Sequence, residues 1–263
     1  MHGTGKLSLL FSALLTAASL WAAMPLDASS ERGTTLLSPS GSSLLMSPEM
    51  ALAAFQQRAA RQLNEPISYS ANTVVEAELP ATSQKGSYRL RRRFIAPKTL
   101  LFTPVRFVGD NFVKSNVITR LLQTEVDRVN KGEGARTAII EANYKFSYKG
   151  SDKIAGDAVH VFQVKPRVMR PGLFKGRIYL DAGNGSLRRA EGTLVKTQSI
   201  FVNKIEFVQD YADFEGYTLP VHVRSVAKTR LVGRAVVDVT TDSYDLAPST
   251  TASIQTSSTG GSE

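Results

Sequence analysis

Residues 67–79 read ISYSANTVVEAEL, and their alternation of apolar and polar side chains indicates the fold class. Tyr69, Val75 and Leu79 belong to one set of alternate positions, and the other set carries mostly hydroxyl, amide and carboxylate groups. Because successive side chains of a strand point to opposite faces, this period of two predicts a half-buried β-strand. The stretch therefore predicts a sheet that has one apolar face and one wet face.

Strand patterning of the same kind occupies most of the chain that follows. Residues 88–94 (YRLRRRF) alternate in this way, and residues 138–246 read as a succession of antiparallel strands, with a turn expected at residues 149–152. Asn184-Gly185, between two alternating segments, is a strong hairpin signal. The pattern predicts roughly nine to eleven strands, and a sheet of this size twists and curls towards a barrel.

Two segments carry apolar residues at helical spacing. Ser47-Pro48-Glu49 opens the first, and we expect a helix over residues 48–63 with Ser47 as its N-cap. The second covers residues 113–130 and ends before two glycines. The apolar stripes comprise Leu52, Phe55, Ala59 and Leu63 in the first helix and Val117, Leu121, Leu122, Val126 and Val129 in the second. Such helices are the natural cover for the concave side of a curled sheet.

A curled sheet that two helices cannot fill leaves an apolar cavity, which suits a lipid or an acyl chain. Strand alternation and helical spacing predict that the cavity is lined by Tyr144, Phe146, Phe201, Ile205 and Phe207 of the sheet and by Leu121 and Leu122 of the second helix. Ordinary core packing would produce the same aromatic residues, and the sequence does not separate the two interpretations.

Arg89-Leu90-Arg91-Arg92-Arg93 is the densest positive charge in the chain. As part of a strand, it has Arg89, Arg91 and Arg93 on the wet face and Arg92 on the apolar face. One interpretation makes Arg92 the contact for an anionic head group at the rim of the cavity. The other is an arginine that snorkels at a sheet edge, or a local change of register.

Residues 1–23 read MHGTGKLSLLFSALLTAASLWAA, which has the layout of a secretory signal peptide. A single Lys6 precedes an apolar run, and small residues follow at Ala22 and Ala23. An uncleaved N-terminal anchor is the alternative. We therefore expect an exported, periplasmic protein with a signal peptide (1–23), a flexible linker (24–47), a single domain (48–247) and a disordered tail (248–263).

The composition is that of a globular protein, since 42% of the residues are hydrophobic and 21% are charged. The chain has no cysteine, which excludes disulfides, thiol catalysis, cysteine-based zinc sites and a lipid anchor on cysteine. The formal net charge of +9 favours anionic partners, and export makes nucleic acid the least expected of them. A role of the charge in solubility alone is the alternative.

No catalytic or cofactor signature is present, so we expect a protein that is not an enzyme and that needs no cofactor. The sequence has neither a G-x-S-x-G elbow nor a glycine-rich phosphate loop. His160 and His222 fall on strands, and two histidines without cysteine do not predict a metal site. Carboxylates cluster at Asp210, Asp213 and Glu215, where a solvated turn explains them better than a general acid–base pair.

The second half of the chain contains an ordered set of short strand and hairpin segments: GRIYLD (176–181), LRRAEG (187–192), KIEF (204–207), GYTLP (216–220) and VRS (223–225). Their order resembles the strand–hairpin–strand pattern of the LolA/LolB-like family of outer-membrane lipoprotein-sorting proteins. The resemblance covers residues 137–246 well and the helical half in outline. It implies a mainly β (α+β) fold in which helices cover a curled, unclosed antiparallel half-barrel, and it implies acyl chains bound inside.

Two functions are consistent with these features. The first is a periplasmic carrier that holds the acyl chains of a lipid or lipoprotein in the cavity. The second is a non-enzymatic interaction module, a sensor or scaffold on envelope proteins, in which the cavity is closed and the basic surface makes the contact. An unfilled interior would favour the carrier, and a closed interior would favour the module.

Overall fold

A computed structural model of the chain describes residues 45–65, 67–197, 202–230 and 233–247. In these residues ten strands form one sheet. The strands are β1 (Ser68–Leu79), β2 (Gln84–Ile95), β3 (Thr99–Gly109), β4 (Tyr144–Ile154), β5 (Asp157–Pro166), β6 (Phe174–Asp181), β7 (Leu187–Leu194), β8 (Val202–Phe214), β9 (Tyr217–Thr229) and β10 (Arg234–Ala247). The predicted signal peptide (1–23) and tail (248–263) lie outside the described residues.

The sheet is antiparallel and unclosed. Its strands lie in the order β3-β2-β1-β10-β9-β8-β7-β6-β5-β4, so β3 and β4 are the two edges. Apart from the pairing of β1 with β10, every pairing joins strands that are consecutive in the chain. The long connection from β3 to β4 contains the helices α2 to α4 and crosses the sheet from one edge to the other. The two edge strands do not pair with each other, so the sheet stays open. The predicted mainly β fold, a curled half-barrel with helical cover, is confirmed.

Helix α1 (Pro48–Asn64) begins where the sequence predicts, and the Ser47 hydroxyl accepts a hydrogen bond from the backbone N–H of Met50 at 3.3 Å. The second predicted helix begins earlier than expected, because Asp110 caps it through the N–H of Phe112 at 2.7 Å. It consists of α2 (Asn111–Val113), a π-helical turn (Lys114–Ile118) and α3 (Thr119–Asn130), and a short α4 (Gly134–Thr137) follows. No helix in the described part of the chain has the length and hydropathy to span a membrane.

The turn predicted at residues 149–152 is wrong. The chain continues as β4 through this segment, with a register shift between Tyr148 and Gly150, and it reverses at Ala155-Gly156. Gly150 has a φ of +116°, a conformation that glycine adopts without steric cost. The glycine thus marks a β-bulge rather than a turn.

Residues 138–143 were expected to begin a strand and instead form bends and turns. The buried side-chain amide of Asn143 donates hydrogen bonds to the carbonyl oxygens of Ala135 and Ala138, at 2.8 and 2.9 Å. A side chain that bonds to the nearby backbone competes with strand pairing, so β4 begins only at Tyr144.

The main hydrophobic core lies between the inner face of the sheet and the helices. The segment from α2 to α3 packs on β1, β2 and β3, and α1 lies against the connection between β6 and β7. At its other end α1 is tied to the β8–β9 hairpin, where Arg61 donates to the carbonyl oxygen of Gly216 at 2.8 Å. A smaller apolar cluster around Tyr69, Phe94 and Leu100 lies under the end of α3.

Candidate functional site

The inner face of the sheet carries a continuous row of mostly small residues. Gly176 of β6 pairs with Gly192 of β7, and Gly192 pairs with Phe207 of β8. Following the register in both directions gives the inner-face row, which comprises Phe146, Val164, Gly176, Gly192, Phe207, Ser225, Val237, Ala77 and Gly86. Since neighbouring strands lie about 4.8 Å apart, the row crosses about 38 Å of sheet.

The glycines make this row a trough. A Cβ atom on Gly176 would collide with the carbonyl oxygen of Glu191, so the close approach of β6 and β7 requires glycine there. Aromatic rings occupy the space left by the missing side chains. A ring carbon of Phe174 lies 2.9 Å from where a Cβ of Gly192 would be, and a ring carbon of Phe107 lies 3.0 Å from that of Gly86. The trough is thus filled by the protein's own side chains.

An aromatic cluster closes the trough on the β4 side. The ring centroids of Tyr144 and Phe174 lie 5.5 Å apart, and those of Phe174 and Phe207 lie 5.0 Å apart, edge to face. The Tyr144 hydroxyl accepts a hydrogen bond from the N–H of Phe174 at 3.2 Å. Burial raises the pKa of Tyr144 above its usual range, so this hydroxyl is neutral at physiological pH.

The structure brings the described members of the predicted cavity lining into one core. Tyr144 is 0% exposed, Leu121 and Ile205 are each 1% exposed, Leu122 is buried, and Phe146 and Phe207 are half-buried at its margin. Phe201 lies outside the described residues. A void wide enough for water would leave accessible surface on its walls, so Tyr144, Leu121 and Ile205 face packed side chains. Their role in ligand binding stays a prediction.

In the described residues, few polar contacts attach the start of the segment from α2 to α3 to the sheet. At its start the Gln84 amide donates to the Asp110 carboxylate at 3.1 Å, and the Lys114 ammonium lies 5.3 and 5.0 Å from the ring centroids of Tyr88 and Phe107. Lys114 begins the π-helical turn, and such turns inside α-helices are frequent at functional sites. This part of the cover is therefore held mainly by apolar packing, whereas Arg58, Arg61 and Gln62 of α1 form polar contacts with the β8–β9 hairpin.

Arg92 is the charged anchor of the other end of the cover. Its Nη2 lies 2.5 Å from Oε1 of Glu125 on α3, and its Nε donates to the Tyr69 hydroxyl at 3.0 Å. Both side chains of the ion pair are nearly inaccessible, at 5% and 6%. Burial by itself lowers the pKa of Arg92, but the Glu125 carboxylate and nearby tyrosines outweigh this and hold the pKa above its usual range.

The structure gives Arg92 a buried partner, Glu125, that neither interpretation of the sequence included. The guanidinium is buried and paired, so it does not snorkel. The pairing of β1 with β2 runs without a register shift, whereas the pairing of β2 with β3 shifts between Arg89 and Leu90. A contact between Arg92 and an anionic head group stays a prediction, and Glu125 already supplies an anionic partner.

The two described histidines lie apart from the inner face row. His222 is on the outer face, where Nε2 is 3.1 Å from Asp238 and Nδ1 is 3.6 Å from Asp210. His160 is buried, and its Nε2 lies 2.9 Å from the carbonyl oxygen of Met46, which ties the last residues of the expected linker to the sheet. The described residues contain no group of three or more acidic or histidine side chains that could hold a metal ion.

The structure is similar to solved structures of the family that the sequence resembles. A LolA superfamily protein from Nitrosomonas europaea is 10% identical, with 76% of this chain and 93% of that chain covered and a TM-score of 0.38. A domain from Vibrio parahaemolyticus, a candidate outer membrane lipoprotein-sorting protein, is 14% identical, with 75% and 92% covered and a TM-score of 0.40.

The complex of MucA and MucB from Pseudomonas aeruginosa also contains a similar chain, at 12% identity, with 73% and 91% covered and a TM-score of 0.22. No protein-family model and no curated protein matches this chain. Identities this low and TM-scores below 0.5 do not transfer a ligand, a partner or an activity from those proteins to this one.

Sequence reasoning missed the inner-face row and the partner of Arg92. Gly176 and Gly192 stand inside strand-like segments, which is a signal for close backbone approach, but their alignment depends on a register that the sequence does not fix. Glu125 falls between apolar residues of the second helical stripe, four residues after Leu121. A carboxylate on an apolar stripe is a signal for a buried cation, and Arg92 carried the matching signal on its strand.

Proposed function

We propose that the protein is a non-enzymatic, periplasmic carrier that holds the acyl chains of a lipid or lipoprotein between the sheet and the helices. The inner-face row is the observation that carries this proposal. It is a long, mostly apolar row in which Gly176, Gly192 and Gly86 contribute no side chains, so at these three positions the floor is the backbone of the sheet itself. A narrow apolar trough of this kind suits an extended hydrocarbon chain better than a compact polar ligand.

The trough is occupied by the rings of Phe174 and Phe107, so a ligand has to displace them. Phe107 lies on the edge strand β3 and is half-buried, and Phe207 at the other ring cluster is half-buried as well. The cover over the trough is held by packing and a few polar contacts, and it contains the π-helical turn. These features support a mechanism in which the helical cover and the rings move outward together while the sheet stays fixed.

Uptake of a fluorescent fatty acid by the purified chain tests the proposal. We expect saturable uptake by the wild-type protein, displaced by unlabelled phospholipid. Phe207→Asp puts a charge into the apolar trough, which costs several kcal/mol unless the charge is paired, and should abolish uptake. Ser225→Leu is a second variant, because Ser225 is 1% exposed and a larger side chain there blocks the row.

The matched control is His222→Ala on the opposite face of the sheet, where the side chain is 40% exposed. This variant should keep wild-type uptake. If folded wild-type protein takes up no acyl probe, the carrier proposal fails, and a measurable turnover that His222→Ala destroys would show that the protein is an enzyme.

A closed interior favours the second candidate function, the envelope interaction or sensor module. Tyr144, Leu121 and Ile205 are packed against other side chains and leave no space for water around them. Purification from the envelope separates the two functions. Native mass spectrometry that finds bound phospholipid or acylated peptide supports the carrier, and a bound protein partner without lipid supports the module.

A further inference from the structure

The hairpin of β2 and β3 has an unbalanced charge. Residues 84–109 contain seven lysines and arginines and no aspartate or glutamate. Arg92 points to the inner face and is neutralised by Glu125. The outward cations remain without such a partner in their own hairpin, although Lys85 lies opposite Glu78 of β1. Much of the positive charge of the chain is therefore concentrated on one side of one sheet edge.

Arg89, Arg91 and Arg93 form an exposed stripe on the outer face of β2, and the cross-strand neighbour of Arg89 on β3 is another arginine, Arg106. Like charges directly opposite each other destabilise a sheet. None of these four guanidinium groups forms an ion pair with the described residues. The pairing of Arg89 with Arg106 therefore costs stability, and no ion pair among the described residues offsets that cost.

The outer face of β7 to β10 is different. There Arg189 is paired with Asp210 at 2.6 Å, and Arg224 is paired with Asp238 at 2.6 Å. The outer face meets water in both regions, so exposure alone does not explain why the arginines of the stripe are unpaired among the described residues.

A groove of about 710 Å³ lies at the end of the stripe. Its walls include Ser70, Arg91, Arg93, Thr103 and Asp245. The guanidinium groups and hydroxyls are donors that match phosphate oxygens, and arginine binds phosphate through two parallel N–H groups. The carboxylate of Asp245 stands on the far wall, on β10, and is separated from β2 by β1.

Beside the stripe, the edge strand β3 exposes aliphatic side chains. Leu101 is 47% exposed, Val105 68% and Val108 56%. Pro104 and a register shift interrupt this edge, and both features hinder pairing with a strand of another protein. Aliphatic groups next to arginines match the boundary between the head groups and acyl chains of a bilayer.

We propose that the outer face of the β2–β3 hairpin docks on the anionic surface of a phospholipid bilayer. Arg89, Arg91 and Arg93 contact lipid phosphates, and the exposed aliphatic side chains of β3 enter the head-group layer. This docking surface lies on the opposite side of the sheet from the inner-face row, and it does not rest on acyl binding there.

Cosedimentation with vesicles tests the proposal on the full chain. The vesicles consist of phosphatidylcholine alone or of phosphatidylcholine mixed with phosphatidylglycerol. We expect binding to the mixed vesicles and little to the neutral ones. Each basic side chain at an anionic surface contributes about fivefold, so R89Q/R91Q/R93Q should lower partitioning about 100-fold.

The matched control is K145Q/K149Q/K153Q on β4, which removes the same charge from exposed positions of the opposite edge. It should bind nearly as well as wild type, because charges beyond about 8 Å from the contact are largely screened at physiological salt. Equal loss in both triple variants would overturn the proposal in favour of non-specific charge. Binding to neutral vesicles as tight as to anionic ones would also overturn it.

L101S/V105S/V108S distinguishes a bilayer from a soluble polyanion. This variant keeps every charge and should lose much of its vesicle binding while its circular dichroism stays that of wild type. If it binds vesicles as well as wild type, and inorganic polyphosphate competes fully, the stripe binds soluble polyanions and the bilayer proposal is wrong. Acyl-probe uptake by R89Q/R91Q/R93Q should stay at the wild-type level, so this result is read separately from the carrier proposal.

Discussion

Strand β2 carries the same side chain in two environments, inside and outside the sheet. Arg92 faces inward, is buried and is bound by Glu125 and Tyr69. Its neighbours Arg91 and Arg93 face outward into water, and neither forms an ion pair with a carboxylate in the described part of the chain. The inner guanidinium could be buried only together with an opposite charge, because an uncompensated charge in an apolar interior is very costly. The outer ones are solvated and stay available to an external anion.

The two faces of the sheet therefore differ in the interactions that stabilise them. The inner face depends on packing and on one buried ion pair between the sheet and α3, so a single substitution there should be severe. The outer face carries many charges that water already solvates, so substitutions there should affect binding more than folding. Measurements of the free energy of unfolding of matched variants on the two faces test this difference.

The largest expected effect comes from removing one member of the buried pair. Glu125→Ala leaves Arg92 buried without its carboxylate, and we expect it to lower the free energy of unfolding by about 3–5 kcal/mol. Urea denaturation measures the change. The double variant R92M/E125L removes both charges and should restore a stability equal to that of wild type or above it. A loss below about 1 kcal/mol in Glu125→Ala would mean that the pair is solvated rather than buried.

A second effect, smaller for each residue involved, is expected at alkaline pH. Burial raises the pKa of Tyr69, Tyr144, Tyr211 and Tyr244, all of which belong to the inner face. Below a pH of about 10, both the folded and the unfolded states keep these protons, and the full stability is present. Above that pH the unfolded state loses them first, so stability should fall by about 1 kcal/mol per pH unit for each tyrosine until its folded pKa is reached.

Urea denaturation at several pH values from about 9 to about 11 measures this slope. Tyr211→Phe removes one of the buried phenols and should make the decline with pH shallower than in wild type. An unchanged slope in Tyr211→Phe would show that this hydroxyl is accessible to water in the folded protein.

The sequence predicted the sheet and the helices well because alternation and helical spacing are local patterns. Tyr69, Val75 and Leu79 do face inward on β1, and the stripe with Leu121 packs on the sheet. The predicted start of a strand at residue 138 and the predicted turn at residues 149–152 are wrong, because one side chain or one glycine determines the local structure there. Asn143 bonded to nearby carbonyl groups, and Gly150 made a bulge, and neither event changes the hydropathy pattern around it.

The candidate site was less accessible to sequence reasoning because it depends on contacts between distant parts of the chain. The inner-face row exists because Gly86, Gly176 and Gly192 fall into one register across strands far apart in sequence. Alternation predicted correctly that Arg92 faces inward, but no local pattern revealed that Glu125 of α3 lies beside it. Which partner satisfies a buried charge is a question of tertiary packing, and a single sequence does not fix it.

The smallest effect is expected from the paired charges of the outer face. Arg189 and Arg224 are 34% and 54% exposed, and each forms an ion pair with a carboxylate on the neighbouring strand. Exposed ion pairs contribute between zero and about 1 kcal/mol, because water screens the attraction and ordering the side chains costs entropy. Arg224→Ala should therefore lower the free energy of unfolding by less than about 1 kcal/mol, and added salt should shrink the difference from wild type. Urea denaturation at low and high ionic strength measures both quantities. A loss as large as that of Glu125→Ala would mean that the outer ion pairs hold the sheet together, and the contrast between the two faces would no longer stand.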